Sequence, residues 1–307
     1  MRIIFMGTPD FAVPCLSKLI KAGHNICAVF TQPDKPKGRG YKLTPPPVKK
    51  LALENGIEVY QPKTLRTEDS TQLVKDLKPD VIVVVAYGKI LPKSILEIPT
   101  YGCINVHASL LPKYRGAAPI QWSVLNGDKL TGVTTMYMAE GLDTGDIILS
   151  QKTDIGSDET SGELHDRLSE MGADLIVETL KQVENGTVER IPQDDEKSCY
   201  ASMLSKDMSH INWNKTALEI HNLVRGLSPW PVANTKYNNK LLKVHRSRVT
   251  DGYSGEPGEI VEANGNFVVC CADNTAIELL EVQYEGKKRM SGKDFLCGHP
   301  IREKTIL

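Results

Sequence analysis

Asn105, Val106 and His107 stand together in the run GCINVHASLLPKYRG (102–116), at a spacing that can do chemistry. In an extended strand residues i and i+2 share a face with Cα atoms about 6.5 Å apart, so an amide and an imidazole converge on one small group of atoms. Two donors aimed at one point are what a developing oxyanion requires. A second constellation, Gly141-Leu142-Asp143-Thr144-Gly145-Asp146, is a turn-rich loop directly after the apolar run GVTTMYM (132–138). Its two glycines permit a sharp path, and Asp143 can project to a histidine and fix the orientation of the ring. Taken singly, Asn105 and His107 could merely satisfy backbone groups at a strand end, and Asp143 could merely cap a surface turn. Only the two loops together point to a site.

Such side chains need strands to hold them. The runs RIIFMG (2–7), NICAVFT (25–31), DVIVVVAY (80–87), GCINVHAS (102–109) and GVTTMYM are rich in β-branched residues and bounded by Gly, Pro or charge. Helical patterns lie between the early ones, as at 11–22 with Phe11, Val13, Leu16, Leu19 and Ile20 on one face. Alternation of this kind predicts an α/β domain with a doubly wound, Rossmann-like parallel sheet. In such a sheet the site lies at the carboxyl ends of the strands, where 105–109 falls. A dinucleotide is not expected, because MGTPDF offers only Gly7 where the phosphate-binding turn needs three glycines. A long helix capped by Thr160 or Ser161 and ending at Gly186 closes this domain, 1–186.

Residues 187–205 are polar without clear period and read as a linker. Residues 206–307 differ: a short helix at 215–226, then VANTKY, a turn at Asn238-Asn239, KLLKVHRSRV, GEIVEA, NFVVCC and AIELLEV. These strands predict a small β-barrel, with the OB-fold one candidate. Trp122, Trp213 and Trp230 read as packing residues, His165 as a helix-surface or core-edge residue, and Cys270-Cys271 as one thiol inside and one outside.

Composition sets outer limits. The 307 residues correspond to about two domains at ~150 each. A hydrophobic share of 40% with 24% charged residues excludes disorder and fibrous classes. No segment approaches ~18 consecutive apolar residues, so no membrane partner is expected, and the N-terminus reads as strand and turn rather than a secretory leader. Seven cysteines without a Cys-x-x-Cys pair argue against a disulfide framework or metal site and for reduced thiols in the cytoplasm. With 37 basic and 38 acidic residues, net −1, whole-chain charge does not announce a nucleic-acid binder, though it leaves room for local patches.

The pieces FMGTPDFAVPCL, FTQPDKPKGRGYKL, PPPVK, VVVAYGKILP, GCINVHASLLPKYRGAAPIQW and GLDTGDII, in this order, resemble the methionyl-tRNA formyltransferase family. The resemblance covers nearly the whole chain, including SPWPVA (228–233). NVHASLLPKYRG with LDTG marks the wider family that takes formyl groups from 10-formyltetrahydrofolate. The resemblance implies a catalytic trio of Asn105, His107 and Asp143, with Asn105 and His107 donating to the oxyanion and Asp143 holding His107 and assisting proton removal. It also implies folate binding along Ser109, Leu110, Leu111 and Pro112, with the pteridine near the loop carrying Ala86, Tyr87, Gly88, Ile90 and Leu91. The resemblance further implies folate as a cosubstrate, no metal and initiator methionyl-tRNA as the partner, and a monomer is expected.

The segment 34–50 is basic, Gly/Pro-rich and interrupts the α/β alternation. Its ordinary reading is a solvated loop. Its match to the family's insertion makes Lys35, Lys37, Arg39 and Lys42 candidates for the acceptor end of tRNA. Lys240, Lys243 and Arg246 on a strand pair, and Lys287, Lys288 and Arg289 in a later loop, are candidates for the tRNA body. The bias is small, 14 basic against 12 acidic residues over 206–307. The rival readings are a folate-dependent formyltransferase acting on a nucleotide-sugar amine or on glycinamide ribonucleotide, and an RNA-binding protein that has lost activity.

Overall fold

The computed structural model describes residues 1–37, 42–302 and 304–307, and the side chains of Lys37 and Lys42 lie outside the description. The chain divides into two compact units, the first comprising Met1–Gly116, Thr131–Thr153 and His165–Ala201, the second Ala117–Leu130, Asp154–Leu164 and Ser202–Leu307. The segments 117–130 and 154–164 therefore leave the domain in which their position in the alternation put them. Their partners explain it: Ala118, Trp122 and Leu125 pack with Leu204 and Leu227, while Arg225 and His221 bond the carbonyls of Gly156 and Ser157.

The chain opens with β1 (Arg2–Gly7), α1 (Val13–Lys21), β2 (Asn25–Phe30), a hairpin of β3 (Lys35–Lys37) and β4 (Lys42–Thr44), α2 (Pro47–Glu54) and β5 (Val59–Tyr60). It continues through α3 (Glu68–Asp76), β6 (Val81–Val85), α4 (Lys93–Leu96), β7 (Cys103–His107), β8 (Arg115–Gly116), α5 (Pro119–Leu125), β9 (Leu130–Tyr137) and β10 (Ile147–Asp154). Then come α6 (Ser161–Glu184) and β11 (Tyr200–Ala201). Seven strands form one sheet in the order β10-β9-β7-β6-β1-β2-β5. From β5 to β7 neighbours run parallel, and the run VIVVV of β6 is buried throughout, as a strand covered on both faces must be.

The sheet is nevertheless mixed, because β9 lies antiparallel to β7, with Asn105 opposite Met136 and His107 opposite Thr134. A parallel return needs a crossover packed back on the sheet. The helix between β7 and β9, α5, groups with the other unit. The linker expected at 187–205 also proves structured: Ile191 bridges Ile147, Asp195–Lys197 form a helical turn, and β11 pairs with β8.

In the second unit, Thr160 and Glu163 cap α6 reciprocally. After α7 (Ala217–Gly226), capped the same way by Thr216 and Glu219, follow β12 (Asn234–Tyr237), β13 (Lys240–Thr250), β14 (Ile260–Glu262), β15 (Val268–Cys270), β16 (Ala276–Tyr284), β17 (Met290–Ser291) and α8 (Gly292–Gly298). Asn238 and Asn239 both adopt positive φ, the two-residue turn that matches strand twist. The strands pair in the order β12-β13-β16-β15-β14, with β17 on β16. Among the described residues these pairings do not close the barrel expected from the sequence. The two ends meet short extended pieces instead, Asn234 beside His210 and Glu259 beside Ile306. Cys270 and Cys271 are both buried, the former with Val268 and Ala276 and the latter in the main core, so both faces of β15 are covered. Trp213 packs in the core, but Trp230 is exposed.

Candidate functional site

Because β1, β6 and β7 are parallel, their carboxyl ends reach one edge of the sheet, and the loops 86–91 and 108–114 leave from it. Ile104 and Val106 of β7 are buried, while Asn105 and His107 share the opposite face. Asn105 is half-buried, and its side-chain amide has no hydrogen-bond partner among the described residues. The buried His107 sets Nε2 2.9 Å from the Tyr114 carbonyl oxygen. A carbonyl only accepts, so Nε2 carries the proton and Nδ1 is the free ring nitrogen. Nδ1 faces Asp143 Oδ2 at 3.8 Å, too far for a hydrogen bond and within ion-pair range only when the ring is protonated. The carboxylate thus faces the imidazole, as expected of a residue that orients it, without a hydrogen bond to it. Asp143 Oδ2 accepts instead from the Gly116 backbone N–H, 2.8 Å away.

Three consecutive residues thus address the trio. Tyr114 orients the imidazole through its carbonyl, Gly116 anchors the carboxylate through its N–H, and Arg115 reaches Gln193 with Nε and Nη2 at 3.1 and 2.8 Å. Gln193 Nε2 in turn donates to the carbonyls of Asp143 and Gly145 at 2.9 and 2.7 Å. The Tyr114 N–H donates to Cys199 Sγ, and the Arg115 N–H to the Cys199 carbonyl. Gly116, at φ +119°, has no room for a Cβ, which would lie 2.7 Å from both the Ala201 carbonyl oxygen and the Tyr200 ring. None of these supports is legible in the sequence. Gln193, Cys199 and Tyr200 fall in the segment read as linker, and their order rests on particular hydrogen bonds rather than on a period.

The expected folate residues divide into two kinds. Ser109 is fully buried and spends its hydroxyl inside its own loop, donating to the Lys113 carbonyl at 2.7 Å. Thr134 Oγ1 ties that loop down by donating to the Ser109 carbonyl and accepting from the Leu111 N–H. Leu110 packs over Gly132, Leu111 is buried, and Pro112 is half-buried. In the other loop Ala86, Gly88 and Ile90 are exposed, with Ala86 and Gly88 at positive φ. Gln32 Nε2 holds this loop through the carbonyls of Tyr87 and Gly88. Tyr87 and Leu91 lie in the core beside Phe30, Val84 and Ile95. The Tyr87 hydroxyl is buried with no partner among the described residues, and burial pushes its pKa up to about 12.

Of the basic candidates, Lys35 is exposed on β3, Lys37 and Lys42 are described by backbone alone, and Arg39 lies outside the described residues. In the second unit Arg246 pairs with Glu163 and Glu281, and Arg289 with Glu281. The Lys240 ammonium sits 5.9 Å from the Tyr284 ring centroid, and Lys243 is half-buried on β13. Lys287 and Lys288 are exposed without a carboxylate partner among the described residues.

Residues 1–180 match the formyl transferase family model, and 203–300 match that for the formyl transferase C-terminal domain. Over 308 residues the chain is 51% identical to the methionyl-tRNA formyltransferase of Alkaliphilus oremlandii, covering 100% of this chain and 99% of the relative. That of Alkaliphilus metalliredigens is 53% identical, with 100% and 98% covered. This chain belongs to the methionyl-tRNA formyltransferase family. Solved structures share the fold at greater distance. A sugar 3N-formyl transferase, in the presence of dTDP and 5-N-formyl-THF, matches with TM-score 0.69 and 24% identity over 94% of this chain and 99% of its own. The N-formyltransferase of Helicobacter canadensis, in complex with folinic acid and dTDP-3-aminofucose, reaches 0.70 and 24% over 92% and 98%.

Two outcomes are expected for this member of the methionyl-tRNA formyltransferase family. Gly116→Ala adds a Cβ against backbone at positive φ, and should lower stability by about 1–3 kcal/mol in urea melts and reduce turnover as Asp143 loses its anchor. Tyr87→Phe removes a buried hydroxyl that no described residue satisfies. It should leave stability unchanged or raise it by up to about 1–3 kcal/mol, with folate binding unaffected because the ring belongs to the core.

Proposed function

We propose that the protein transfers the formyl group of 10-formyltetrahydrofolate to the α-amino group of methionyl initiator tRNA. The observation that carries the reading is the unpartnered amide of Asn105 beside a His107 whose Nδ1 is free and backed by Asp143, in a chain about half identical to methionyl-tRNA formyltransferases over its full length. The methionyl amine attacks the formyl carbon, its lone pair forming the new C–N bond while the carbonyl π pair moves onto oxygen. Asn105 Nδ2 donates toward that oxygen, where charge develops only in the transition state, and His107 Nδ1 donates beside it once this otherwise free nitrogen has taken up a proton from solvent. Asp143 balances the imidazolium across 3.8 Å and, directly or through a water, receives the amine proton. Collapse of the intermediate breaks the bond to the folate nitrogen, which leaves with that proton as tetrahydrofolate.

The folate-binding surface is assigned to the rim of Ala86, Gly88 and Ile90 and to the 109–112 loop, with Tyr87 and Leu91 supporting from the core. The exposed rim offers backbone groups and aliphatic surface, which suits a flat heterocycle. The acceptor end of tRNA is assigned to Lys35, Lys37, Arg39 and Lys42, and its body to Lys240, Lys243, Lys287 and Lys288. Arg246 and Arg289 contribute less, since Glu163 and Glu281 already neutralise them. The likeness to sugar formyltransferases supports a second reading, a nucleotide-sugar amine as acceptor, carried by folds only 24% identical.

One assay separates the two readings. With 10-formyltetrahydrofolate as donor, charged initiator tRNA should be formylated while free methionine and a dTDP-amino sugar are not; the reverse pattern would replace the first reading with the second. Asn105→Ala or His107→Ala should each lower kcat by about a hundredfold or more with folate binding little changed. For tRNA affinity, log K should fall linearly with log salt. Neutralising Lys287 and Lys288 should flatten that slope by about 0.7–0.9 for each phosphate they engage, and an unchanged slope would remove them from the interface.

A further inference from the structure

We infer that Gln193, in the connector after α6, is a positioning residue for this reaction: its side-chain amide clamps the turn that carries Asp143 and so sets where the carboxylate faces His107. Nε2 spends both protons on the carbonyls of Asp143 and Gly145, at 2.9 and 2.7 Å, and Oε1 takes both of its bonds from Arg115, at 3.1 and 2.8 Å. Carbonyls only accept and a guanidinium only donates, so the orientation of the amide is unambiguous and its four bonds are all made. Arg115 is itself steadied by Asp195 at 2.8 Å. No other side chain meets these demands. Glutamate cannot donate to the carbonyls, lysine and arginine cannot accept from Arg115, and asparagine is one methylene too short.

The turn requires such a clamp. Asp143 sits at φ +52°, a left-handed turn conformation that aspartate adopts as a single residue where local hydrogen bonds hold it. Its neighbour Gly145 passes so close to Tyr137 that a Cβ would fall on the Tyr137 carbonyl oxygen. Released from Gln193, the Asp143 peptide can relax away from the Gly116 N–H, and a shift of about 1 Å at a reacting group can cost about a hundredfold in rate. The connector does not depend on Gln193 for its place, since the Ile147–Ile191 pair and the β8–β11 pair hold it by backbone on either side. The loss is therefore local to the turn.

The inference rests on the reading of Asn105, His107 and Asp143 as the reacting site, and the experiment separates the two. Gln193→Glu and Gln193→Met are assayed for formyl transfer to charged tRNA beside Asn105→Ala, each with a thermal melt. Gln193→Glu keeps the acceptor for Arg115 but loses both donors and sets a carboxylate against two carbonyls. Its kcat should fall about ten- to a hundredfold with both KM values within about twofold and the melt unchanged. Gln193→Met, which loses the donors without adding a charge, should show the same loss of kcat with KM unchanged. Normal kcat in both variants beside an inactive Asn105→Ala would overturn the positioning role, as would losses that track a lowered melt and raised KM. Normal turnover in Asn105→Ala would instead overturn the reading of the site.

Discussion

A backbone carbonyl accepts a hydrogen bond and cannot give one, and the carbonyl of Tyr114 thereby determines which face of His107 is left for chemistry. With Nε2–H committed to it at 2.9 Å, the ring cannot turn without losing a buried bond, and Nδ1 is held toward Asp143. The next two residues extend the constraint: Arg115 engages Gln193 and Gly116 engages the carboxylate. A movement of this tripeptide would misplace the imidazole, the carboxylate and the turn together.

The sheet supplies the rigid half of this arrangement. Strands β6 and β7 deliver loop 86–91 and the Asn105–His107 pair to one edge, and the antiparallel β9 returns along β7 so that Thr134 can tie down Ser109 and Leu111. The connector supplies the other half. It returns after α6 to pair with β8, which explains why a segment so polar is ordered: its backbone groups are satisfied by residues 114–116 and its side chains by the Asp143 turn.

What can be read from the sequence follows from which forces leave a pattern. Burial on both faces makes VIVVV legible as an inner strand, the two-residue repeat puts Asn105 and His107 on one face, and paired asparagines mark the 238–239 turn. Hydrogen bonds between single side chains and distant backbone leave none, so Gln193, Arg115 and Cys199 are invisible as supports. Alternation likewise reports that one face of β15 is buried but not that the second is covered too, which is why Cys270 lies beneath the surface with Cys271. Strand direction is equally silent: nothing in GVTTMYM says that it runs against its neighbour. Tyr87 illustrates a last limit, since its motif points to a binding loop while its ring fills the core and only the loop's backbone and neighbours reach the rim.

The tautomer of His107 is where this account is most exposed. Nitrogen-15 NMR of the imidazole in selectively labelled protein, through the range where the ring is neutral, reports directly which nitrogen keeps the proton. The Tyr114 carbonyl requires it on Nε2, with Nδ1 showing the shift of an unprotonated nitrogen. A neutral His107 protonated on Nδ1 would contradict the orientation on which the roles of Asp143, Gly116 and Gln193 all depend.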